Sequence, residues 1–300
     1  MITIDFQPLE KKDKPLLDCF FRARRYENSH FNFTNFYMWR KPFHVEWCVE
    51  DDVLYIKSRW RDHQHMMQPF GAPEKMPHAI ENILAWFKEN NLPFIMSGLE
   101  KSFTEDLTAF PGVDFKIIPD PDNYDYVYNA KDLIELGGRK YHTKKNHLNA
   151  FRKFYPNAEY LPITEDIIPA CREELNRWYE ARRPELPEDP FIGYELCAIH
   201  EVFDTFKDFQ LKGAAISIGG RIAAFSFGEA LNEDTAVIHV EKADVDVRGA
   251  YAAINQYFVA AYWSHMTYIN REEDMGLETL RRAKEAYRPV KRIEKFTATL

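Results

Sequence analysis

A β-branched run at residues 236–240, an acidic turn, and then Arg248-Gly249 ahead of an apolar-periodic segment at 250–263 fix the order strand, turn, buried helix. That order sets the unpaired N–H groups of a helix start, and the positive end of its dipole, beside a glycine that lets another group approach the backbone. Arg248 and Gly249 are therefore candidates for holding a phosphate, the alternative being an ordinary turn. Downstream, residues 267–269 read as a short strand, 270–276 as a polar loop, 277–286 as a helix and 291–299 as a final strand, with Pro289 breaking the chain before it. Asn270, Arg271, Glu272, Glu273 and Asp274 are five consecutive hydrogen-bonding side chains just past a strand end, where open α/β sheets place their sites. The alternative is a solvated acidic loop.

Upstream, residues 1–6 alternate like a strand and 12–24 carry Leu16, Leu17, Phe20 and Phe21 at helical spacing. The stretch 27–40 mixes aromatics with asparagine, serine and histidine; it reads as an aromatic core turn whose amides cap helices, or as a pocket wall. Residues 43–50 and 53–60 around Asp51-Asp52 read as a hairpin, and His63 and His65 follow in a loop, with no partner that would make them a metal site. Helices at 77–90 and 102–109 alternate with strands at 93–97 and 113–118, which argues for a mixed α/β domain. The cluster at 119–123 is a turn and a domain edge, and 124–128 returns to strand character.

From Gly137-Gly138 a helix presents Tyr141, Leu148, Phe151 and Tyr155 on one face, with Lys140, Lys144 and His147 beside it and Lys145, Arg152 and Lys153 on its flanks. Such a stripe is either a solvated face or a phosphate grip for a nucleotide, a tRNA backbone or a lipid headgroup. Then come a strand at 159–162, helices at 167–182 and 190–206, and a hairpin of 211–218 with 221–230 around Gly219-Gly220.

The 300 residues suit two domains better than one core. A formal charge of -8, from 39 Lys plus Arg against 47 Asp plus Glu, excludes general attraction to nucleic acid or anionic membrane, so any such contact must be local. Cys19, Cys48, Cys171 and Cys197 are far apart with no CxxC, which signals neither zinc nor a disulfide framework. With no apolar run of membrane-spanning length and no export signal, the expected location is cytoplasmic, with peripheral membrane contact left open.

The run INREEDMG, followed by LRRAKEAYRP and the ending KRIEKFT, resembles the C-terminal signature of bacterial proteins carrying the phosphatidylglycerol lysyltransferase C-terminal domain, in their smaller soluble branch. The resemblance implies a fold of two tandem GNAT-like domains, each a mixed, mainly antiparallel α/β sheet flanked by helices. We expect an N-terminal domain at 1–128, a basic connecting region at 129–157 and a C-terminal domain at 158–300 that carries the donor site. It also implies transfer of an aminoacyl group from aminoacyl-tRNA to a lipid headgroup, peptide or other amine or hydroxyl acceptor. An acyl-CoA-dependent N-acyltransferase and a non-catalytic tandem module are the other readings. The superfamily's acyl-CoA loop, Q/RxxGxG/A, is only partly present at 247–252, so coenzyme A is the less favoured donor.

No Ser/His/Asp or Cys/His motif is legible, so direct attack of the acceptor on the donor fits better than a covalent enzyme intermediate. Glu241 and Asp244 are candidate bases, and Asn270 and Asp274 complete the catalytic candidates, with Arg271 orienting the substrate. Arg248, Gly249, Lys140, Lys144 and Lys145 are the phosphate candidates. Lys284 matches the lysine of the family's terminal pattern LeuArg-x-x-Lys-x-x-Tyr/Phe-x-Pro, which implies that it holds the aminoacyl-tRNA end; the alternative is a helix-surface lysine.

Overall fold

The computed structural model of this protein describes residues 4–60, 62–183 and 191–300, and among them two hairpin-built sheets, each interrupted by a helical crossover, hold the named strands. Part of the strand expected at 1–6 and the first residue of the helix expected at 190–206 lie outside the described residues. The chain divides into two compact units, one of Met1–Asp125 with Ile293–Leu300 and a second of Tyr126–Arg292.

In the first unit β1 (Gln7–Pro8) precedes α1 (Lys14–Arg22) and α2 (Phe33–Trp39). Only Leu17 and Phe21 of α1 are buried, while Leu16 is exposed. In the 27–40 stretch Asn32 caps α2 by accepting from Asn35 N at 2.8 Å, and Phe31, Phe33 and Phe36 are core residues; the core-turn reading describes it. β2 (Glu46–Glu50) and β3 (Val53–Trp60) form the expected hairpin, with Asp51 and Asp52 both at positive φ, as a two-residue turn of matching twist demands. His63 and His65, expected in a loop, lie in β4 (His63–Met66), because the chain turns straight back along β3. After α3 (Met76–Glu89) comes β5 (Ile95–Leu99), parallel to β4, and then α4 (Lys101–Ala109) and β6 (Lys116–Pro119).

The second unit opens one residue into β7 (Asp125–Asn129) and continues with α5 (Ala130–Glu135) and α6 (His142–Phe154). A meander follows: β8 (Glu159–Pro162), then α7 (Ile168–Arg182) and α8 (Phe191–Thr205), then β9 (Lys212–Ile218), β10 (Arg221–Ala230) and β11 (Thr235–Ala243), all antiparallel neighbours. The crossover helix α9 (Ala250–Tyr262) leads to β12 (Tyr268–Asn270), which lies parallel to β11. α9 packs on α5, α6 and β9 to β11, and its alanines at 250, 252 and 253 let those neighbours come close.

Beyond α10 (Glu278–Glu285) the expected strand at 291–299 is two strands in different sheets: β13 (Lys291–Ile293) and β14 (Phe296–Thr299). The strand orders are β1-β2-β3-β4-β5-β14-β6 and β13-β7-β12-β11-β10-β9-β8. The first sheet thus takes one strand from outside its own run of the sequence, β14 beside β5, whereas the second is built from the unbroken run β7 to β13, with β7 placed between β13 and β12. This division places the 129–157 segment in the second unit, where α6 packs on α9, and residues 293–300 in the first.

Candidate functional site

β11 and β12 pair only through Thr235↔Tyr268, Ala236↔Ile269 and Val237↔Asn270, although β11 runs on to Ala243. Past Asn270 the chain stays with β7, where Arg271 N donates to Tyr126 O at 2.9 Å and Tyr126 N donates to Glu272 O at 3.1 Å. The backbone ladder therefore opens on the β11 side, and side chains span the gap.

A β-bulge decides which side chains those are. Phe227 pairs with Val240 but Gly228 with Ile238, so His239 is the extra residue. Without the bulge, strict alternation would put Ile238, Val240 and Lys242 on one face. Across it, the face toward α9 carries Ala236 and Ile238, then Glu241 and Ala243. Lys242 is turned the other way, to Glu195 of α8 at 2.8 Å and over the Trp178 ring of α7 at 3.6 Å. Gly228 permits this crowding, since a Cβ there would stand 2.0 Å from Val237 O.

Glu241 accepts from Arg271 Nη2 at 2.9 Å and from Asn255 Nδ2 of α9 at 2.8 Å, with both members of the ion pair about nine-tenths buried. Burying this pair is tolerable because each charge is matched and hydrogen-bonded. Two polar atoms remain over: among the described residues Arg271 Nη1 and Asn255 Oδ1 are buried without a partner. The rings of Tyr287 and Tyr128 lie 4.7 and 5.5 Å from the guanidinium. Lys144 Nζ, reaching in from α6, stands 4.1 Å from the Tyr287 ring centre. Burial, reinforced by the Arg271 charge, pushes the Lys144 ammonium down to about 8.

That shift has a direct readout. At pH 7.5 an ordinary lysine near 10.4 is about 0.1% neutral, whereas one near 8 is roughly a quarter neutral. Lys144 is therefore expected to react with an amine-modifying reagent at least about ten-fold faster than its exposed neighbour Lys145, burial allowed for. Mass spectrometry of the labelled peptides measures it. Arg271→Ala should slow the labelling of Lys144, and equal rates for the two lysines in the wild type would contradict the shift.

The other residues singled out from sequence have different surroundings. Asp244 pairs with Arg221 at 2.6 Å and accepts from Asp246 N; burial pushes its carboxyl up, but these donors hold it below the usual range. Asn270 is buried and caps the turn by accepting from Glu272 N at 2.8 Å. Asp274 is fully buried, with its oxygens occupied by Arg281, the Tyr126 hydroxyl and Gly276 N. As placed, these three acidic or amide groups hold turns and loops. Lys284 is no surface lysine: it is buried, and its Nζ donates to the carbonyls of Arg271 and Glu272. Arg248 is exposed over the Phe154 ring, and Lys140 pairs with Asp132 at 3.2 Å. Gly249 caps α9 at φ 82°, and a Cβ there would lie 2.3 Å from His147 O of α6, so the close approach its freedom permits is filled by another helix.

Sequence reasoning missed Asn255, Tyr128, Tyr287 and His239. An asparagine in the middle of an otherwise apolar helix, and a histidine within a β-branched strand, were the available signals, because buried polar groups need partners. A cavity of about 260 Å³ lies beside α6, lined by Arg152, Tyr155, Tyr160 and Tyr257 among others; it does not include Glu241 or Arg271. Among the described residues no cluster of histidine, cysteine or carboxylate side chains could hold a metal ion, and no helix is long and apolar enough to cross a membrane.

Comparison with known proteins bears on the family and the fold. The family described as phosphatidylglycerol lysyltransferase, C-terminal, matches residues 21–299. The crystal structure of a conserved protein of unknown function from Bacteroides thetaiotaomicron is similar at 33% identity and a TM-score of 0.92, over 99% of this chain and 100% of that one. The structure of L-PGS from Bacillus licheniformis is similar at 14% identity and a TM-score of 0.66, over 96% and 91% of the two chains, a likeness of fold alone. An uncharacterized Mycoplasmoides gallisepticum protein, MYCGA3080, is 23% identical over 200 residues, which is 65% of this chain; the match spans 63% of that relative's length. The two sheets flanked by helices are a tandem GNAT-like fold.

Proposed function

We propose, from the premise that this chain belongs to the phosphatidylglycerol lysyltransferase C-terminal family, that it transfers an aminoacyl group from its ester on a tRNA 3′ end to an amine or hydroxyl acceptor. The observation that carries this reading is the buried Glu241–Arg271–Asn255 cluster with one donor and one acceptor left over. An aminoacyl ester offers the complement of both. Its α-ammonium suits Asn255 Oδ1 and the Glu241 carboxylate, and its carbonyl oxygen suits Arg271 Nη1. A simple acetyl group has no cation for the first two.

In this reading the acceptor's nitrogen or oxygen attacks the ester carbonyl carbon, and Arg271 stabilises the oxyanion that develops. Lys144, titrating near 8, is neutral often enough to take the acceptor's proton. When the carbon–oxygen bond to the ribose breaks, the same ammonium returns a proton to the leaving oxygen. From 139 to 158 the chain carries six Lys and Arg and no carboxylate, which gives an RNA backbone a local counter-charge in a chain of net -8. A lipid headgroup and a peptide are both chemically adequate acceptors.

The test is thermal unfolding with a non-hydrolysable amide analogue of 3′-aminoacyl-adenosine, beside coenzyme A and acetyl-CoA. At one hundred times its Kd the analogue should stabilise the protein by about 2.7 kcal/mol, and Glu241→Gln should lose that gain. Stabilisation by the coenzyme A compounds alone would replace this reading with acyl-CoA chemistry.

A further inference from the structure

His239 is fully buried, with Nδ1 2.9 Å from Glu272 Oε1 and Nε2 3.1 Å from Glu229 Oε1. It is the bulge residue of β11, two positions before Glu241. On the other side of the open ladder, Arg271 and Glu272 are consecutive, and one reaches Glu241 while the other reaches His239. The gap left by the missing backbone pairing is thus closed by two ion pairs of opposite sense.

We infer that His239 is a positioning residue of this site: locked between Glu229 and Glu272, it holds the strand exit that carries Arg271 in register with Glu241. The reason such a hold is needed lies in the other pair. A ligand that engages Arg271 and Glu241 competes with their mutual bridge, and the exit must stay in place while that bridge loosens. Lys284 ties the carbonyls of Arg271 and Glu272 from α10, and the Asn270 side chain accepts from Glu272 N, but it is His239 that joins this exit to β10 and β11 through Glu272. Glu272 itself sits at φ 57°, a left-handed conformation that needs such support. The charged groups facing His239 are Glu229 from β10 and Glu272 from the loop, with Lys284 and Glu273 acting on Glu272. Burial alone would push the imidazole down, yet the two carboxylates raise it to about 9, so it carries its charge at neutral pH.

The inference rests on the aminoacyl reading only for its ligand arm, and two measurements separate them. Hydrogen exchange on the unliganded protein tests the hold itself: His239→Gln should lower protection at amides 271–276 by about ten-fold or more and leave β9 and β10 unchanged. Glu272→Gln should do the same, and it serves if the first variant fails to fold. Affinity for the aminoacyl-adenosine amide should fall by about ten-fold in each single variant, with the double variant losing no more than the worse single, since both cut one connection. Unchanged protection at 271–276, or losses that multiply in the double variant, would overturn the inference. If the wild type does not bind the analogue, the proposed function fails and hydrogen exchange alone decides the role of His239.

Discussion

Glu241→Ala is expected to destabilise the second unit by about 3–5 kcal/mol, because it strands the Arg271 guanidinium in a buried position and leaves Asn255 Nδ2 unpaired. The large cost comes from the partner left behind rather than from the worth of the bridge. Glu241→Gln isolates the difference. It keeps the volume and can still accept from Arg271 or Asn255, so it should unfold nearer to wild type while losing affinity for the aminoacyl-adenosine amide. Denaturant midpoints and titrations of that analogue on both variants make the comparison. An alanine variant as stable as wild type would show that water or rearrangement satisfies Arg271 and that the buried cluster is not held as described.

Gly228→Ala should be nearly as damaging despite adding one methyl group. The new Cβ would lie 2.0 Å from Val237 O, a backbone atom on the neighbouring strand that cannot swing away as a side chain would. The pairing of β10 with β11 must shift, at a cost of about 3 kcal/mol or more. If the bulge is squeezed out, alternation turns Glu241 away from Asn255 and toward the α7 and α8 face, so binding should fail even at temperatures where the variant is folded. A matched control is alanine at Gly220, where a Cβ meets nothing within 4 Å and only the positive φ is at stake. A Gly228→Ala variant that unfolds and binds like wild type would remove the bulge from the account of how Glu241 is aimed.

Much of the secondary structure was legible because it is local. Asp51-Asp52 gave the β2–β3 hairpin, Gly219-Gly220 gave the β9–β10 hairpin, and the apolar period gave α9 nearly to its ends. The failures were non-local. Residues 291–299 read as one strand, since each half has strand character; the break at 294–295 exists because the two halves join different sheets. His63 and His65 looked like loop residues until pairing with β3 made them a strand.

The site divides along the same line. By itself the sequence determined that a polar run follows a strand end, that a carboxylate at 241 precedes a glycine-opened helix, and that a basic helix stands in an acidic chain. These are properties of neighbours along the chain. Only the tertiary structure decided that Arg271 meets Glu241 rather than Asp244, that Gly249 is spent on the approach of His147 O, that Lys284 is buried against backbone carbonyls, and that His239 bridges two glutamates. The physical reason is that a side chain's charge can be read from its letter, but the partner that stabilises it is set by strand register. Here one extra residue opposite Gly228 changes which face every later side chain of β11 occupies.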